Sequence, residues 1–365
     1  MTAHQVLSVD DPIDPPSRSA ARATSTYTEL AATIRQSGLM RRRYGYYWVR
    51  IVGAVAAFGV LVFAMAWIGN TWWQLLLAAT LGVLVTQFGF LGHDAAHRQI
   101  FVSATWNDWT ARILSGVFAG LSYGWWRGKH NRHHATPNQE GLDPDIAPGA
   151  LAFTREVAET RTTGARGWFL RRQGWLFFPL LTLEGLNLHW ASISRLLGRE
   201  PVRHRWTEMT LIGTRLGAYV GGLLLLLPPG KAVAFFFVQM AVFGVCLGGS
   251  FAPNHKGMPI VARTMKIDFL QRQVLMSRNV RGGSVVDAVM GGLNYQIEHH
   301  LFPSMPRPNL KRAQPLVRAH CSNLGVPYTE VGLWRSYAIV VDYLNHVGLR
   351  ARTPFDCPLA SQLRD

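Results

Sequence analysis

Cysteine is nearly absent from this 365-residue chain, and the three present, Cys246, Cys321 and Cys357, are scattered with no C-x-x-C pair. That excludes a cysteine-built zinc site and a disulfide framework, and it fits a reducing compartment. Acidic residues are also few: 21 against 37 Lys and Arg, a formal net charge of +16. No nucleic-acid motif accompanies the basic excess, so it points to an anionic membrane face and to substrate charge. The opening residues carry Asp10, Asp11 and Asp14 and lack the basic-then-apolar order of a cleaved signal peptide. No H-E-x-x-H occurs, which excludes the usual zinc-protease arrangement.

Charge is missing altogether between Arg50 and Asp94. A spanning helix needs about 20 apolar residues, so this gap holds two, about 51–69 and 71–92, turning at Gly69-Asn70-Thr71. A second pair, about 208–228 and 232–252, turns at Pro228-Pro229-Gly230, with Arg215 near enough to one end to snorkel. Residues 113–126 are uncharged but short, which favours the membrane interface over a crossing. Residues 173–194 are apolar apart from Glu184 and His189 and read either way.

The flanks set the expected topology. Residues 1 to about 25 are rich in Pro, Ser, Thr and Asp and read as disordered. Arg35, Arg41, Arg42, Arg43 and Arg50 follow, interleaved with Tyr44, Tyr46, Tyr47 and Trp48, an aromatic belt beside positive charge. The N-terminal arm, the middle segment and the region after Asn254 are all Arg-rich, whereas the two short turns are nearly uncharged. Lys and Arg collect on the cytoplasmic side. The expected protein is therefore an all-α integral membrane protein with four transmembrane helices in two hairpins. An arm (1–44), a membrane domain (45–345) and a tail (346–365) divide it. Both termini and the intervening segments are expected on the cytoplasmic side of the inner membrane, as a helical cap.

Histidine is what the chain has in clusters. Three short windows, His93-Asp-Ala-Ala-His97, His130-Asn-Arg-His133-His134 and Gln296-Ile-Glu-His299-His300, hold seven of its thirteen histidines. Residues three and four apart share a helix face, so each window aims its imidazoles one way. Neutral imidazole suits Zn, Cu, Fe and Ni. Seven ligands exceed one ion, so the cap is expected to hold a di-metal site. A fifth span at 173–194 would part the third window from the first two, which argues that this block does not cross. Asp94 and Glu298 lie inside the windows and are the candidates for charge compensation behind the ligands.

These windows resemble the three histidine boxes of integral-membrane fatty-acid desaturases, and with the hairpins the resemblance covers roughly residues 45–345. The H-x-x-x-H first box and the glutamine opening the third are similar to the acyl-lipid, front-end branch (delta-6 and linoleoyl-type enzymes). The resemblance implies an oxidoreductase with a centre of two non-haem iron ions. With dioxygen as co-substrate, such enzymes introduce a cis double bond into an acyl chain on CoA or lipid. Position by position, it implies His93, His97, His130, His133, His134, His299 and His300 as ligands. Ala252-Pro253-Asn254-His255-Lys256 adds His255 as an eighth, with Asn254 positioning a water. Gln296 departs from the all-histidine pattern, leaving open whether it binds through its carbonyl, and His189 is a candidate replacement. No His-Pro-Gly-Gly haem motif occurs, so the implied electron source is a separate ferredoxin or flavin reductase. Arg127, Lys129 and Arg132 around the second window are candidates to meet that acidic partner or substrate phosphates. A histidine-box alkyl or lipid hydroxylase is the neighbouring alternative. A non-enzymatic metal-binding or transport protein fits less well, because transport calls for polar residues within several spans.

Overall fold

A computed structural model describes residues 18–161 and 163–349. The acidic opening with Asp10, Asp11 and Asp14, Cys357 and most of the tail lie outside the described residues. The first described element, α1 (Arg18–Gln36), is helical from a point where composition suggests disorder to about residue 25. The reason lies further along the helix: Leu30, Ala31 and Ile34 recur at helical spacing and are buried in the cap.

Four helices are long and apolar enough to cross a membrane: α2 (Tyr44–Ile68), α3 (Gln74–Ala96), and further on α10 (Arg205–Leu226) and α11 (Pro229–His255). They form the two expected hairpins. Gly69, at φ +64°, turns the first, and buried Gln74 closes it by donating to Met65 O (2.7 Å) and Gly69 O (2.8 Å), carbonyls at the C-terminal end of α2. Pro229 opens α11, where its fixed φ suits a first helical turn. The spans α2 and α10 are only 11% and 17% buried, against 50% and 39% for α3 and α11. The inner pair is therefore α3 and α11. They approach closely because Gly82 faces α11: a Cβ there would lie 2.8 Å from Gln239 O.

This inner pair positions the site. At about 1.5 Å per residue, α11 is about 40 Å long against a hydrocarbon core of about 30 Å. His93, His97 and His255 sit at the C-terminal ends of these two inner helices. Between the hairpins lie α4 (Ala104–Ile113), a π-helical turn (Leu114–Ala119), α5 (Tyr123–Ala135), α6 (Arg155–Glu159), α7 (Gly164–Leu170), α8 (Gln173–Leu181) and α9 (Glu184–Leu197). The block at 173–194 is thus two short helices rather than a span. Gly185 and Gly244 let this pair press onto α11: a Cβ at Gly244 would overlap Leu181 O and the Gly185 amide.

The chain after α11 forms α12 (Phe269–Leu275), β1 (Asn279–Arg281), α13 (Gly283–Val289), α14 (Gln296–Leu301), α15 (Arg307–Asn323), β2 (Glu330–Gly332) and α16 (Leu333–Leu349). β1 and β2 pair in parallel, Val280 opposite Val331. Leu30, Ile34, Ile297, Leu301, Leu310 and Val317 build the cap core.

Candidate metal centre

Each histidine is placed by a local device. The helix α5 is capped by Ser122, whose Oγ accepts from Trp125 N (3.1 Å), and its 3.6-residue period stacks His130 and His134 on one face. Arg278 holds the end of α11, donating to Pro253 O and, at 2.9 Å, to Lys256 O, which fixes His255 between them. Asn279 clamps the short α14: its Oδ1 accepts from Ile297 N (2.9 Å) and its Nδ2 donates to Glu298 Oε2 (2.7 Å).

All eight expected histidines converge, in two groups. His93, His97, His130, His134 and His299 offer ring nitrogens within 4.8 Å of one another, and so do His133, His255 and His300. In the first group the Nε2 atoms of His130 and His134 lie 3.0 Å apart, and those of His134 and His299 3.1 Å apart. In the second, His133 Nε2 lies 3.2 Å from His255 Nε2. The groups adjoin: the His134 ring stacks on His300 at 4.2 Å between centroids.

The donors fit a pair of transition-metal ions. The Nε2 atoms of His93, His97 and His300 are buried without a hydrogen-bond partner among the described residues. Orphaned buried polar atoms cost about 1–3 kcal/mol each, and a cation satisfies them. Burial, with the neighbouring imidazoles, pushes His97, His130, His134, His299 and His300 well below the usual histidine range, so they are neutral and ready to ligate. His133 is the exception. Burial lowers it, but Asp145 and Asp143 together outweigh burial and raise it.

The outer nitrogens are tied down. His133 Nδ1 faces Asp143 Oδ2 at 3.0 Å, His255 Nδ1 faces Met276 O at 2.9 Å, and His300 Nδ1 faces Gln273 Oε1 at 2.9 Å. Such partners fix ring orientation and raise ligand basicity. Asp94 lies 3.4 Å from His93 Nδ1 and forms a 2.7 Å ion pair with buried Arg307. Glu298 belongs to neither group. It accepts from Asn279 and from Tyr328 OH (2.7 Å) inside the cap, where burial pushes its carboxyl up to about 7. Gln296 Nε2 is 2.9 Å from His255 Nε2, and its Oε1 accepts from Asn254 Nδ2 (3.1 Å), so Gln296 borders the three-histidine group and Asn254 orients it. His189 stands outside both groups. Its Nδ1 lies 2.7 Å from Gly185 O, a hydrogen bond within α9. Arg127 and Lys129 are engaged within the chain, by Asp108 (3.3 Å) and Asp145 (2.7 Å).

Asp143, Asp145, Gln273 and Arg307 carry no clear signal in the sequence. The only signal was a pair of acids in the Asp143-Pro144-Asp145 loop soon after the second window. Asn138, at φ +53°, folds that loop back: its backbone N donates to Asp143 Oδ2 (2.8 Å) and its Nδ2 to His255 O (3.1 Å). Asp143→Asn is expected to weaken metal retention about 10–100-fold while leaving the fold intact. Chelator titration of the variant against the parent measures it, and equal retention would show that Asp143 does not support His133.

Comparison with known proteins agrees with this geometry. The sequence profile described as fatty acid desaturase matches residues 70–332. The chain is 31% identical to a Delta(5) fatty acid desaturase of Caenorhabditis elegans, over 85% of this chain and 70% of that protein. It is 29% identical to an acyl-lipid (9-3)-desaturase of Physcomitrium patens over 88% of this chain, and there it spans 62% of the relative's length. A Delta(8)-fatty-acid desaturase of Helianthus annuus is 26% identical over 89% of this chain and 74% of its own. The profile covers all three histidine windows, three of the four candidate spans and the loop that holds Asp143, and the chain accordingly belongs to the fatty acid desaturase family.

Proposed function

We propose that this protein is a membrane fatty-acid desaturase that places a cis double bond in an acyl chain at a centre of two non-haem iron ions. One observation carries the reading. A cavity of ≈ 270 Å³ is bordered by His93 and His130 of the first group and by His133 and His255 of the second. Its other wall is apolar, with Phe153, Phe177, Leu181, Leu188, Leu247 and Phe251. Both histidine groups thus face one largely apolar space, which suits a methylene chain.

His93, His97, His130, His134 and His299 would hold one ion, and His133, His255 and His300 the other, with Gln296 beside the second. Two iron ions supply dioxygen activation. Dioxygen, two electrons and two protons combine with the two hydrogens leaving adjacent methylenes, giving two waters and one alkene. The chain's own task is positioning and exclusion of water. Trp125 and Trp126 line the cavity, whereas Tyr123 is buried beneath the Arg112 guanidinium and Phe90 is packed on Gly291. Lys129, Asp145, Glu184 and Lys256 form its polar end, a place for the ester or thioester of an acyl-CoA or acyl-lipid. The basic cap, with both termini, sits on the cytoplasmic side of the inner membrane, where the electrons come from a separate ferredoxin or flavin reductase.

Incubating the iron-loaded protein with saturated and monounsaturated acyl substrates, reduced ferredoxin and oxygen tests the reaction. Mass spectrometry is expected to show one new double bond at a fixed position. A hydroxylated product without an alkene would replace this reading with a hydroxylase.

A further inference from the structure

A second cavity lies away from the histidines. It occupies ≈ 470 Å³ at the junction of α9 and α10, lined by Arg199, His204, Arg205 and Trp206 among others. None of its lining residues borders the apolar cavity beside the metal groups. The junction is strongly basic. Arg195, Arg199, Arg203 and Arg205 fall within eleven residues, with Glu200 the one acid among them, held 2.7 Å from Arg195. Its depth is set by the fold, because Arg205 opens a membrane-spanning helix. Trp206 lines it and is 76% exposed, as aromatic groups are at the headgroup level. His204 takes a left-handed turn (φ +59°) that orients the loop, with its ring 5.5 Å from Trp109.

We propose that this cavity binds the phosphate head of an anionic membrane phospholipid that is not the substrate. Clustered arginines at the end of a spanning helix, beside interfacial tryptophan, match the charge and depth of such a head. Bound there, the lipid braces the second histidine window. Val202 packs on Gly124 in the first turn of α5, where a Cβ would lie 2.7 Å from Val202 Cγ1. Glu208, one turn into α10, accepts from Ser122 Oγ (2.6 Å) and Gly124 N (3.1 Å). The site does not depend on which reaction the metal centre performs.

The test uses the full chain in nanodiscs of phosphatidylcholine mixed with phosphatidylglycerol, with native mass spectrometry of retained lipid. Each arginine near an anionic head is worth roughly a fivefold preference. The parent is expected to retain phosphatidylglycerol about tenfold or more over phosphatidylcholine. Arg199→Gln with Arg205→Gln is expected to abolish that preference. Arg199→Glu alone is expected to do the same without disturbing the Arg205 bond to Glu200 O. Arg281→Gln, an exposed arginine elsewhere on the cap, is expected to leave it unchanged. Equal retention of the two lipids overturns the proposal, as does a preference that survives both Arg199 variants. A loss equal to theirs in Arg281→Gln would show bulk charge only. Displacement of the lipid by millimolar inorganic phosphate would show a free-anion site instead, and either result also overturns it.

Discussion

His134→Ala is expected to abolish the proposed desaturation and to disturb both proposed metal positions, although it removes a single proposed ligand. Its Nε2 lies 3.0 Å from His130 Nε2 and 3.1 Å from His299 Nε2, so it belongs to the five-histidine group. Its ring also stacks on His300, which belongs to the other. Alanine leaves a gap at the join. Removing a ligand from a centre that supplies several kcal/mol of barrier lowering costs on the order of a thousandfold or more in rate. His299 belongs to the first group and its ring lies further from His300, 5.9 Å against 4.2 Å for His134, so His299→Ala is expected to spare the ion proposed at His133, His255 and His300. His189→Ala is the internal control. It too removes a buried histidine, yet its hydrogen bond runs to Gly185 O. It is expected to lower stability modestly and to keep its metal. Metal content measured on all three variants, alongside product formation, separates ligation from packing. Loss of metal in His189→Ala equal to that in His134→Ala would mean that the two groups are misassigned.

Gly244→Val is expected to prevent the protein from folding, the largest stability effect of any single change considered. A Cβ at Gly244 overlaps Leu181 O and the Gly185 amide, backbone atoms at the α8–α9 junction. Overpacking against movable side chains typically costs about 1–3 kcal/mol, and a fixed backbone leaves less room to relax. Whole proteins are stable by only about 5–15 kcal/mol. The same contact sets one wall of the cavity, since Leu181 lines it and Gly248, one turn further along α11, faces Leu181 too. Gly53→Val is the comparison: Gly53 is exposed on α2, with nothing within 4 Å of its position for a Cβ. Fluorescence-detected size exclusion of the two tagged variants is expected to show aggregate for Gly244→Val and a parental peak for Gly53→Val.

The hairpins and the histidines were legible because each is written locally. An uncharged run from Arg50 to Asp94 can only be placed in an apolar medium, and i, i+3 and i, i+4 histidines share a face wherever the helix goes. What supports the ligands was not legible. Asp143 reaches His133 only because Asn138 turns the loop, and Gln273 reaches His300 from another helix. Asp94 and Glu298 looked equivalent, each beside a histidine. Helix phase separates them: Asp94 meets Arg307 and His93, while Glu298 turns into the cap toward Tyr328. The block at 173–194 reads as one apolar stretch, yet it breaks into two helices. The break between Leu181 and Glu184 abuts α11 at Gly244, a contact some sixty residues away that the local sequence does not announce.

Two neighbouring metal positions, built from five and three imidazoles, are the centre of this account. Elemental analysis of the full-length protein purified from iron-supplemented cells tests it most directly. About two irons per chain are expected in the parent, and one in His299→Ala. A parent that holds one ion or none, or one that holds zinc and consumes no oxygen with substrate and reductant present, would contradict it.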